Sequence, residues 1–182
     1  MKKKLMISAL LLFPVLVCLP FLLGYLEYDR QKVDNAHAEP FIRSLTEAVQ
    51  RQDTISMADI ASFEWDKMYM FPPYMPRDEM EKVVGRKWTP DHSYLGHLLH
   101  RSSFGEHPLT DDSLHKLVFV HGRKVVLDVT LDRMTADFTA ASRVTERSDS
   151  EFTVVRNEVI LIVPKDSNQA KTSNRGERRG TG

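Results

Sequence analysis

From Leu5 to Leu26 the chain carries no charged side chain, and the run is bracketed by Lys2, Lys3 and Lys4 before it and by Glu27 and Asp29 after it. Its 22 residues, wound as a helix, reach about 33 Å, the thickness of a hydrocarbon core. Pro14 and Pro20 would break a helix in water, but a membrane span tolerates them as kinks. The lysines and the amino terminus hold the leading end in the cytoplasm. Residues 1–4 therefore read as a cytoplasmic N-terminus and 5–26 as a transmembrane signal anchor. Two processing routes compete with this reading. Cys18 would be a lipidation site, but Val17 stands before it where a small residue is wanted. Ala36-His37-Ala38 has the small-x-small form of a cleavage site, but it lies well beyond the apolar run.

Past a charged juxtamembrane stretch, 27–37, the apolar positions Ala38, Phe41, Ile42, Leu45, Ala48 and Val49 fall on one stripe of a helix, with Pro40 in its first turn. Ser56 to Ile60 fits a single further turn. Phe63, Trp65, Tyr69 and Phe71 alternate with Glu64, Asp66, Met68 and Met70, which predicts a strand with the aromatics on one face and the methionines on the other. Pro72-Pro73 stops it. Pro76, the acids Asp78, Glu79 and Glu81, then Met80, Val83 and Val84 ahead of Gly85 spell a short helix. Residues 86–114 keep no period and read as a long loop, with one helical turn or short strand near Leu95 to His100. Leu117 to Val120 and Lys124 to Leu131 around Gly122 read as a hairpin, and Phe152 to Val155 with Val159 to Val163 as a second pair. Thr135 to Ala141 fits either a strand or a brief helix. Residues 164–182 are rich in Ser, Asn, Gly and Arg and are expected to be a disordered polar tail.

The fold class expected is α+β: an N-terminal transmembrane helix, then a small domain at 38–163 whose antiparallel sheet is covered by one or two helices. The 182 residues leave room for one such core. The formal net charge of zero is unevenly spread. With the leading lysines and the tail set aside, 17 basic and 23 acidic residues remain, the reverse of a nucleic-acid binder. Cys18 is the only cysteine, so neither an intramolecular disulfide nor a thiol nucleophile is available to the domain.

The run Phe63-Glu64-Trp65-Asp66-Lys67-Met68-Tyr69-Met70-Phe71-Pro72-Pro73-Tyr74, with the helix ending at Gly85 and the strand at Leu117 to Val120, resembles a group of uncharacterised bacterial envelope proteins held by a membrane or lipid anchor. The likeness covers roughly residues 36 to 163. It implies an envelope location, no assigned activity and no catalytic residues to carry over.

Three constellations bear on chemistry. His92, His97, His100 and His107 invite zinc, yet His97 and His100 are three apart rather than four, and a solvated loop is the simpler account. Glu64 and Asp66 share a strand face, where paired carboxylates can act as acid and base, though nothing completes a site. Trp65, Tyr69, Tyr74 and Trp88, with Phe71, would line a binding surface if exposed and a core if not. No phosphate-binding glycine loop, Gly-x-Ser-x-Gly or His-Glu-x-x-His motif occurs. No cofactor is expected. The expected function is a single-pass, membrane-anchored envelope protein with its domain outside, a non-catalytic binding or assembly module that contacts another envelope protein or a wall component through a sheet edge or the 86–114 loop. The alternative is a metal- or carboxylate-dependent hydrolase acting on an envelope substrate.

Overall fold

The computed structural model describes residues 18–90, 93–100, 109 and 111–165. They form two compact units, one from the described residues of Met1–Val33 and Gly85–Glu106, the other from those of Asp34–Val84 and His107–Gly182.

The first unit contains helix α1, residues 18–31, and helix α5, Tyr94–His100. Leu19, Phe21, Leu22, Leu23, Tyr25 and Leu26 of α1 are all exposed, and the helix buries Tyr28. Its end is tied to the strand-like residue Thr89: Val33 N donates to Thr89 O (2.9 Å) and Thr89 N to Gln31 O (2.8 Å). Val33, Trp88, Thr89 and His97 complete the buried set. Among the described residues no helix is long and apolar enough to cross a membrane. Residues 5–17 of the expected span lie outside the described residues, as does the tail from 166.

The second unit is α+β with antiparallel strands. Helix α2, Ala38–Arg51, buries Phe41, Leu45, Ala48 and Val49, the stripe expected from spacing. Arg51 in its last turn faces the negative end of the helix dipole. The strands are β1 (Thr54–Ser56), β2 (Lys67–Phe71), β3 (Leu114–His121), β4 (Lys124–Asp132), β5 (Val144–Glu146), β6 (Glu151–Arg156) and β7 (Ile160–Pro164), with short helices α3 (Met57–Ile60) and α4 (Arg77–Val84) between them. They form two sheets rather than one, in the orders β4-β3-β2-β5 and β1-β6-β7. A single core joins α2 to both: Met68, Leu117, Phe119, Leu127 and Val129 from the larger sheet and Ile55, Phe152, Val154 and Ile162 from the smaller.

The β3–β4 hairpin turns on Gly122-Arg123, with Gly122 at φ 54°, a conformation that a residue with a Cβ resists. Gly85, at φ 76°, follows α4 in the role expected of it. The segment 134–141 is neither strand nor helix. Its turns bury Ala136, Phe138 and Ala141, and Asp137 bridges β7, with Asp137 N donating to Ile160 O (2.7 Å) and Ile162 N to Asp137 O (2.8 Å).

Candidate functional site

The aromatic segment 63–71 does not run as one strand. Regular pairing starts at Lys67, and the irregular residues before it change the phase. Phe63, Trp65, Met68 and Met70 therefore all enter the same core, while Tyr69 stacks on Phe71 (6.3 Å, 10°) on the other face of β2. The separation of aromatics from methionines expected from strict alternation is corrected accordingly. Trp65 meets Phe119 edge-on (5.2 Å between ring centres), and the Arg147 guanidinium lies 5.7 Å from its ring centre.

Glu64 and Asp66 precede β2 and act separately. Glu64 is exposed and pairs with Arg147 (3.3 Å). The Asp66 carboxylate accepts from Gly122 N and lies 3.3 Å from His121 Nδ1. The Gly122 amide holds the Asp66 carboxyl below the usual carboxylate range, with His121 assisting. Lys67 then pairs with Glu146 on β5 at 2.9 Å. The Trp-Asp-Lys segment is thus a clasp: its indole enters the core, its carboxylate pins the β3–β4 turn, and its amine reaches β5.

Of the four aromatic residues that sequence places on a possible binding surface, Trp65 is buried in the second unit and Trp88 in the first. Tyr69 is half-buried. Tyr74 alone is well exposed, at 56%, with φ 62° and its amide donating to Leu109 O (2.9 Å). A hydrogen bond to Asp112 pushes the Tyr74 hydroxyl above its ordinary pKa.

The histidines do not form a solvated loop where they are described. His97 is 3% exposed and lies 5.4 Å from the Tyr28 ring, inside the first unit. His92 and His107, and the side chain of His100, lie outside the described residues. Among the described residues no group of three or more His, Cys, Asp or Glu is arranged to hold a metal ion. His115 on β3 is fully buried beside Phe138, and neither ring nitrogen makes a well-formed hydrogen bond among the described residues. Burial depresses its pKa to about 4 despite the neighbouring Asp137. On the sheet face away from the core, Lys116 Nζ donates to Asp128 Oδ1, an ion pair with both members buried.

A sheet edge with a groove beside it lies elsewhere in the second unit. Strand β5 ends the larger sheet, so its outer backbone edge has no strand neighbour among the described residues. Alongside it runs an open groove of about 520 Å³, lined by Val144, Thr145, Glu146, Asp149, Phe152 and Lys165 among others. A free edge offers N–H and C=O groups to an extended chain, while alternating pockets take its side chains. Sequence reasoning expected a sheet edge but not this strand, because β5 has only three residues. Val144-Thr145-Glu146 carries a single apolar residue, and three residues are too few to show a period.

No family model, no curated protein and no solved structure matches this chain.

Proposed function

We propose that this protein is a single-pass envelope protein: residues 5–26 anchor it, the amino terminus is cytoplasmic, and the sheet-bearing unit stands outside as a non-catalytic binding or assembly module. The observation that carries this reading is the uncharged run of 22 residues behind three lysines. The exposed apolar side chains of α1 support it, because a helix with Leu19, Phe21, Leu22 and Leu23 outward lacks a protein partner for them among the described residues. The free β5 edge and its groove are the surface offered to an extended segment of another envelope protein.

Two fusions test the placement. Alkaline phosphatase joined after Val163 should be active and β-galactosidase at the same point inactive; the reverse pattern contradicts the reading. A photo-crosslinking residue at Val144, which is exposed on β5, should give one stoichiometric adduct in intact cells. Failure to find any across growth conditions removes the binding role of that edge.

A further inference from the structure

Helix α5 carries Tyr94, Leu95, Gly96, His97, Leu98, Leu99 and His100, with no Asp, Glu, Lys or Arg. It uses two faces differently. Tyr94 and His97, three residues apart, turn toward α1. The Tyr94 ring meets Tyr25 edge-on at 5.7 Å and Tyr28 at the same distance, and His97 meets Tyr28 at 5.4 Å. The Tyr94 hydroxyl lies over Gly24, where the Cβ of any other residue would collide with it. The second face, Leu95, Leu98 and Leu99 at i, i+3 and i+4, is open, with exposures of 68%, 40% and 60%.

The contacts fix the level of this helix along α1. Gly24 and Tyr25 belong to the last turn of the uncharged run, which ends at Leu26. Whatever medium surrounds that end of the run also surrounds a helix packed on it. Three clustered tyrosines, Tyr25, Tyr28 and Tyr94, are residues that favour the boundary between lipid tails and headgroups. A short helix with leucines on one face and a polar remainder is suited to lie in that boundary.

We propose that α5 is a membrane-interface helix, with Leu95, Leu98 and Leu99 inserted among the lipids beside the exit of the anchor. The inference rests on the anchor reading and extends it: part of the 86–114 loop contacts lipid rather than a protein partner, which gives the unit a second point of attachment and limits rotation about the anchor.

The test uses the full-length chain in vesicles of phosphatidylethanolamine and phosphatidylglycerol. The single native cysteine, Cys18, takes an environment-sensitive fluorophore in one sample. In a Cys18→Ser background, Leu95→Cys, Leu99→Cys and Glu158→Cys take it in three others, with Glu158 in the β6–β7 turn as the aqueous reference. Nitroxide lipids quench labels that lie in the bilayer. Quenching at 18, 95 and 99 but not at 158 is expected, with 95 and 99 quenched more by nitroxides near the headgroup than by those at the chain end. Labels at 95 and 99 that behave like 158 while 18 is quenched overturn the inference and leave the anchor standing. A water-exposed label at 18 overturns both. Two positions on separate turns guard against one substitution disturbing the helix.

Discussion

In the sheet-bearing unit Phe119 is fully buried, with Phe41, Phe63 and Trp65 edge-on around it at 5.2 to 5.4 Å; in the helical unit Leu95, Leu98 and Leu99 stand exposed on seven residues of helix. The two patterns look alike on paper, since both place apolar residues at the spacing of their element. What differs is the medium that covers them. The sheet-bearing unit completes its core from its own chain, drawing on α2 and both sheets. In the helical unit Leu95, Leu98 and Leu99 are exposed, and in the proposed anchored reading lipid covers them.

The sharpest way to break this contrast is to truncate one residue in each unit. In detergent-solubilised protein, Phe119→Ala should cost about 3–5 kcal/mol of stability by denaturant titration, because it opens a cavity among three rings. Leu95→Ala, in contrast, should change it by no more than about 0.5 kcal/mol. Equal losses would mean that α5 is packed like the core.

His115 gives the sheet-bearing unit a pH dependence of its own. Its native pKa of about 4 lies below the ordinary 6.5, so the unfolded chain takes up the proton first as pH falls. The stabilisation from a neutral His115 is complete above about pH 6.5 and is lost progressively down to about pH 4, a total of about 3 kcal/mol. Asp137, Arg133 and Asp132 are the charged groups that act on it. Burial pushes the Asp137 carboxyl up, but hydrogen bonds from Arg133 and Thr139 outweigh it and hold it below its usual range, so its own contribution fades at lower pH. Equilibrium unfolding of wild type and His115→Leu across this window checks the assignment. The variant should lack the slope between pH 6.5 and 4; an unchanged slope would place its origin elsewhere.

Smaller effects sharpen the account of the clasp. Gly122→Ala forces a Cβ into φ 54° and should lower the unfolding midpoint by an amount worth about 1 kcal/mol. Asp66→Asn should leave the core intact but speed hydrogen exchange at the Gly122 amide, which the carboxylate now holds. Unchanged exchange there would mean that the turn stands without Asp66.

Much of the sheet-bearing unit was legible because its elements are long enough to show a period. The α2 stripe, the glycine after α4 and the Gly122 hairpin all follow from local rules that tertiary context did not override. What escaped depended on distance along the chain. β1 and β5 have three residues each and exist only because β6 and β2 pair with them, so no local pattern announces them, and without them the split into two sheets is invisible. The 63–71 segment misled for a different reason: alternation holds only while the backbone is regular, and the residues before Lys67 are not in the sheet. The candidate site was less legible still. Trp65 and Trp88, the most conspicuous side chains, are buried, whereas the open groove is lined by residues of ordinary type. The pairing of Tyr94 and His97 with α1 joins positions some seventy residues apart, and no spacing rule connects them.

The anchor is the premise on which placement, partner and the role of α5 all depend, and alkaline extraction of membranes from cells making the full-length chain tests it most directly. The protein should stay in the sedimented bilayer through carbonate washing and be released only by detergent, while a chain lacking residues 5–26 should be washed free. Recovery of the intact full-length chain in the carbonate supernatant would contradict the account.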